Sequence, residues 1–216
     1  VKTVVDHSEL LRKWIAEGEH ARQDFKFLVS DARKIARTLC AFANADGGRL
    51  LIGVKDNGII SGIRSDEEYY MLRTASQLFT QPRVLFKAEV LLAEGKQVLC
   101  VQVQSSANRP HLFRNEEDIW LPYCRLKDRD VRADAVMLRN WELELLPKGN
   151  VRAFGDAELR LMEFMQTHSF ITVSRCRRVT GLKHIAAVEL LATLLRWNII
   201  EVIPHFDGLA YTLKSN

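Results

Sequence analysis

The stretch Ile35–Gly62, IARTLCAFANADGGRLLIGVKDNGIISG, constrains this chain more than any other part of it. Ile35, Leu39, Phe42 and Ala43 fall at i, i+4, i+7 and i+8, one face of a helix. Ser30 and Asp31 offer N-cap oxygens just before it. Asn44 to Gly48 ends it, because Asn and Gly tolerate the left-handed backbone that helix stops often need. Arg49 to Val54 is an apolar run of strand length, and Asp56-Asn57-Gly58 signals a hairpin turn into a return strand.

The flanks add further elements. Ser8 to Glu17 reads as an amphipathic helix with Leu10, Leu11 and Trp14 on one face, and Arg22 to Val29 reads as a strand. Ser65-Asp66-Glu67-Glu68 is a capping box that opens a helix to about Phe79. Val84 to Leu92 and Gln97 to Gln104 are strands joined by Ala93-Glu94-Gly95-Lys96. His111 to Arg114 and Ile119 to Cys124 make another hairpin, and a helix runs from about Ala133 to Leu145. Pro147-Lys148-Gly149-Asn150 is a linker by composition.

Beyond the linker the texture changes. Helices are expected from Asp156 to about Gln166, from Thr172 to about Val179, and from His184 to about Trp197 with Ile185, Val188 and Leu191 inward. Gly181-Leu182-Lys183 makes the tight turn before the last of them. A strand pair, Ile199–Ile203 and Leu209–Leu213, closes the chain. Three helices and a terminal hairpin predict a winged helix-turn-helix. In that arrangement Lys183, His184 and Ala187 start a recognition helix, and Arg175, Arg177 and Arg178 face backbone phosphates.

The segment AFANADGGRLLIGVKDNGIISG, with Glu19 and then Asp24-Phe25-Lys26 upstream, resembles the signature of the Schlafen/AlbA-like domain family, the bacterial "divergent AAA" group. The family pattern has Glu where this chain has Asp24. The resemblance covers residues 1–147 and implies an α+β fold, a Schlafen/AlbA-like mixed sheet with helices, followed at 155–216 by the small winged-helix domain. It also implies that Glu19, Asp24 and Asp56 occupy the positions of the acidic cluster of Schlafen nucleases. There they would bind Mg²⁺ or Mn²⁺ for phosphodiester cleavage, with Lys26 holding phosphate. Their convergence follows from the resemblance alone. Read as residues, Asp56 is a turn residue and Glu19 and Asp24 are solvated charges. The ATPase label finds no support, because Asn44-Ala45-Asp46-Gly47-Gly48-Arg49 lacks the Lys and Ser/Thr of a phosphate-binding loop.

Composition narrows the partners. Hydrophobic residues make up 47% of the chain, enough for a packed core, and no apolar run approaches the ~20 residues of a membrane span. The opening VKTVVDHSELL has neither a basic n-region nor a long apolar h-region, so a cytoplasmic location without membrane contact is expected. Cys40, Cys100, Cys124 and Cys176 are scattered and read as buried free thiols. His111 and His184 have no partners at ligand spacing and read as packing or surface residues. Net charge is only +4, and residues 155–216 carry seven Lys+Arg against six Asp+Glu. The group Arg125, Lys127, Arg129 and Arg132 is interleaved with Asp128 and Asp130, as a solvated face would be.

Three functions follow as expectations. The leading one is a DNA-binding transcriptional regulator, DNA before RNA, with homodimers expected because DNA half-sites are paired. The alternatives are a metal-dependent ribonuclease acting on structured RNA such as tRNA, and a protein-interaction scaffold.

Overall fold

The computed structural model describes residues 6–147, 155–206 and 208–214, and the chain forms two compact units, 1–132 and 133–216. Both mix helices with strands, so the chain is α+β.

The first unit contains α1 (Ser8–Ala16), β1 (Gln23–Lys26), α2 (Ala32–Ala43), β2 (Gly48–Ile52), α3 (Glu67–Leu78) and β3 (Thr80–Gln81). It continues with β4 (Phe86–Ala93), β5 (Lys96–Val103), β6 (Leu112–Arg114), β7 (Trp120–Leu126) and β8 (Arg129–Arg132). The strands make two four-stranded sheets, ordered β1-β2-β5-β4 and β3-β6-β7-β8. In the first, β1 and β2 run parallel with Asp24 opposite Leu50, while β2 and β5 are antiparallel.

Helix α2 is the centre of the unit. Asp31 caps it by accepting the Arg33 N–H at 2.8 Å. The sequence predicts one apolar face, yet nine of its twelve residues are buried. The helix packs on β5 of one sheet and on β6 and β7 of the other, and its core neighbours include Leu50, Val101, Phe113 and Tyr123. Only Arg33, Lys34 and Arg37 keep an open side, near its start, and from Thr38 onward every residue of the helix is buried. Burial of Ile35, Leu39 and Phe42 supplies about 1.5–3 kcal/mol each. The glycine pair after it is sterically required. Gly47 has φ +73°, and a Cβ on Gly48 would lie 2.4 Å from the Phe42 ring.

The expected hairpin at Asp56-Asn57-Gly58 is corrected. The turn exists and the chain returns antiparallel, but only as the isolated bridge Val54–Ile60 and backbone hydrogen bonds to the Gly53 and Gln97 carbonyls, without a return strand. Both edges of β2 are already occupied, by β1 and β5, so no edge remains for a return strand. The charged run after Arg125 folds into the β7–β8 hairpin. Lys127, Asp128, Arg129 and Arg132 are exposed, as a solvated face requires. Only Arg125 and Asp130, paired across the hairpin, depart from that reading by turning inward. All four cysteines are buried free thiols, and burial pushes Cys100 and Cys176 each up to about 11.

The second unit contains α4 (Ala135–Glu144), α5 (Asp156–Thr167), α6 (Val173–Thr180), α7 (His184–Arg196), β9 (Ile200–His205) and β10 (Gly208–Leu213). Strands β9 and β10 pair antiparallel. Thr172 caps α6 through the Arg175 N–H, and Gly181 ends it in the left-handed conformation. The sequence assigns the helix of α4 to the first domain, 1–147. In the structure α4 packs on α7, and Val136 shares a core cluster with Leu191 and Tyr211. Asp134, the α4 N-cap, accepts the Tyr211 hydroxyl at 2.7 Å, and Arg139 Nε meets Glu189 at 2.5 Å. The compact units accordingly divide between Arg132 and Ala133. The linker expected from Pro147 onward lies, after Pro147, outside the described residues.

Candidate functional site

Two regions carry the residues singled out from the sequence, one in each unit.

In the first unit, β1 turns Asp24 toward α2 and the second sheet, where it is buried. Its Oδ1 accepts Arg125 Nη2 at 2.9 Å, and its Oδ2 lies 2.5 Å from Lys26 Nζ. Arg125 in turn donates through Nη1 to Asp130 Oδ1 at 3.0 Å and stands over the Phe42 ring at 5.2 Å. Asp130 Oδ2 accepts the Thr38 hydroxyl at 2.8 Å. The result is a chain of alternating charge, Lys26, Asp24, Arg125, Asp130, whose last three side chains are buried while Lys26 remains partly exposed. Burial opposes the Arg125 charge, but Asp24 and Asp130 more than offset it and raise the guanidinium above its usual range.

Glu19 approaches the same end of β1. It is an exposed residue whose Oε1 accepts the Phe25 N–H at 2.9 Å. Partial desolvation pushes its carboxyl up, the neighbouring Asp24 charge adds to this, and the Phe25 N–H and Lys26 oppose it. The sign for stability follows. A carboxyl that holds its proton more tightly when folded stabilises the fold fully below the unfolded carboxylate range. That contribution is lost as pH rises through the raised value. Glu19→Gln keeps an acceptor for Phe25 and removes the titration. Melting curves between about pH 4 and pH 7 should therefore show a smaller decline with rising pH than wild type does. Parallel curves for the two proteins would show that the carboxyl titrates alike in both states.

The structure thus brings Glu19, Asp24 and Lys26 together and leaves Asp56 apart, exposed in its turn. Among the described residues, no group of three or more His, Cys, Asp or Glu side chains is placed to hold a metal ion. The donor set does not fit Mg²⁺ or Mn²⁺, because Asp24 already neutralises two cations and a divalent ion there would face Arg125 and Lys26. Sequence reasoning missed Arg125 and Asp130 as members of the cluster. Their only local signal was a sign-alternating run, which surface strands share.

In the second unit, Arg175, Arg177 and Arg178 are exposed on α6, and Lys183 and His184 are exposed at the start of α7. Arg175 stands 5.2 Å over the Phe164 ring. Two details are corrected. Ala187 is fully buried and Ile185 is 82% exposed, because the core residues that α7 contributes begin at Ala187 and its first turn projects past them. The exposed start of α7 is therefore Lys183, His184, Ile185 and Ala186. Glu189, which would place an acid on a reading helix, is instead held by Arg139.

A family model described as Schlafen, AlbA_2 matches residues 19–134, which includes Glu19, Asp24, Lys26, Arg125 and Asp130. Among solved structures, the DIP2311 protein from Corynebacterium diphtheriae is similar with a TM-score of 0.46 and 18% identity, over 63% of this chain. The chain spans 32% of that protein's length. The N-terminal domain of a putative ATP-dependent DNA helicase RecG-related protein from Nitrosomonas europaea is similar with a TM-score of 0.41 and 22% identity. That match covers 69% of this chain and 99% of the other. No described helix is long and apolar enough to cross a membrane.

Proposed function

The chain belongs to the Schlafen, AlbA_2 family, and from that premise we propose that it is a nucleic-acid-binding protein, a DNA-binding regulator whose reading surface is α6 and α7. The observation that carries this is the exposed cationic surface of Arg175, Arg177, Arg178, Lys183 and His184 on either side of the left-handed Gly181 turn. We read α5, α6, α7 and the β9–β10 hairpin as a winged helix-turn-helix. In that motif the second helix of the turn enters the major groove by its N-terminal residues, and the first crosses the backbone. Here those residues are Lys183, His184, Ile185 and Ala186. Engagement of Glu189 by Arg139 removes the one acid that would oppose a phosphate on α7. At the hairpin turn Phe206 is 87% exposed beside the His205 ring, an apolar tip of the kind that wedges against base steps.

The test is a gel shift of duplex DNA at several salt concentrations. Lys183→Glu with Arg178→Glu should abolish the shift, and each lost phosphate contact should lower the log–log salt slope by about 0.9. Undiminished binding by the double variant would refute α6–α7 as the reader. Incubation with labelled tRNA and Mn²⁺ should leave the RNA intact, since Asp24 is committed to Arg125 and Lys26. Cleavage that Asp24→Asn abolishes would restore the ribonuclease reading.

A further inference from the structure

The first unit holds a cleft of about 670 Å³ away from the acidic cluster. It is bounded by the start of β4, the end of β5 and the loop 105–111, and its volume lies within the roughly 300–1,000 Å³ usual for small-ligand sites. None of its fourteen lining residues is Asp or Glu. Two cations line it, Arg83 and Lys87, both exposed. Arg83 is steadied by its Nε, 3.3 Å from Ser76 Oγ, a contact that does not use its terminal nitrogens. Lys87 stands opposite Gln102 across the β4–β5 ladder. Leu85, 75% exposed, and Phe86, partly buried against the core, both line the cleft and give it an apolar edge beside the cations.

The opposite rim is fixed in place. His111 is buried, with Nδ1 2.7 Å from the Pro82 carbonyl and Nε2 2.8 Å from Ser106 Oγ. A carbonyl only accepts, so Nδ1 carries the proton and donates. Asn44 holds the His111 backbone at both N–H and C=O, each at 2.7 Å, and Ser105 Oγ donates to the Ala45 carbonyl at 2.6 Å. A rim already ordered loses little entropy on binding.

We propose that this cleft binds a nucleoside phosphate. Arg83 and Lys87 take the phosphate, the base lies against Leu85 and Phe86, and the amides of Gln102, Gln104 and Asn108 meet its edge. Side-chain amides carry both donors and acceptors, as base edges do. The absence of any lining carboxylate fits an anion and disfavours a cationic ligand. The nucleotide comes either free or as one unit of a single strand. The site does not depend on DNA contact by α6 and α7.

Titration of the full chain with AMP, UMP, adenosine, inorganic phosphate and a short oligo(dA) tests this. A nucleotide probe should bind at least about tenfold more tightly than adenosine or phosphate alone, because both halves of the cleft are used. Arg83→Ala with Lys87→Ala should weaken it by about tenfold or more while the melting temperature stays put, since both side chains are exposed. Binding of AMP or UMP identifies the free nucleotide as the ligand; binding of the oligomer alone identifies a strand. Oligomer binding that survives in the Arg83/Lys87 variant but is lost in the Arg178→Glu/Lys183→Glu variant overturns the cleft and leaves the second-unit reading standing. Absence of binding by every nucleotide probe also overturns it.

Discussion

Arg125→Leu should destabilise the first unit by about 3–5 kcal/mol, the usual consequence of removing one partner from a buried ion pair. The guanidinium is buried between Asp24 and Asp130, which are almost as inaccessible. Leucine fills much of the volume and supplies no charge. Asp24 would retain Lys26, and Asp130 would retain Thr38 and a 3.8 Å approach to Arg37. Neither replaces two charge-assisted hydrogen bonds inside the core. A fall in melting temperature on the order of 10 °C or more is expected. Adding Asp24→Asn and Asp130→Asn removes the stranded charges and should restore most of the loss. If the triple variant melts no higher than Arg125→Leu, the loss comes from packing over Phe42 and not from charge. Asp24→Glu, which restores the residue of the family pattern, places an extra methylene in a buried, ion-paired site. It should cost about 1–3 kcal/mol and leave nucleic-acid binding unchanged.

The second large effect concerns where the second unit begins. A fragment of residues 133–216 should melt cooperatively, and one of residues 155–216 should not. The shorter piece lacks α4, so the cluster around Leu191 loses Val136, worth about 1.5–3 kcal/mol of burial. It also strands the fully buried Tyr211, whose hydroxyl donates to Asp134, at about 1–3 kcal/mol for an unsatisfied buried group. Domains near sixty residues have little stability to spare. Differential scanning calorimetry of both fragments decides the matter, and equal cooperativity would show α4 to be an accessory. In the intact chain, limited proteolysis between Pro147 and Gly155 should yield two pieces that stay together through gel filtration, because α4 on the first piece remains docked on α7 of the second.

What the sequence made legible is what local chemistry decides. The cap at Asp31, the helix stop within Asn44 to Gly48, the turn at Glu94-Gly95 and the Thr172 cap are all read from neighbouring residues and all are present, although at the stop Gly47 and not Asn44 takes the left-handed conformation. The nearness of Glu19 and Asp24 came from family resemblance, because their spacing alone would set them on opposite faces of a strand. The partners of Asp24 were hidden for a plain reason: Arg125 lies 101 residues further along the chain. Its run of alternating charge matches the pattern of a solvated strand, and only the β7–β8 hairpin folding over α2 turns part of it inward. The allegiance of α4 was hidden likewise, since an apolar stripe reports that a helix is buried without saying against what. Ile185 misled in the opposite sense, having the phase of the core but standing one turn outside it.

The enclosure of α2 between two sheets has a consequence for how the first unit opens. Exchange of its amide protons with solvent needs at least one sheet to leave, and neither sheet keeps its apolar face covered without the helix. No partial opening that exposes α2 can preserve the rest of the core. Its mid-helix amides, from Ala36 to Phe42, should therefore exchange only through global unfolding of the unit, with identical free energies and identical dependence on denaturant. The edge strands β4 and β8 should release their protons by local fraying well before that limit. On the hydrogen-exchange scale α2 behaves as a single cooperative block, and its slowest proton reports the stability of the whole unit.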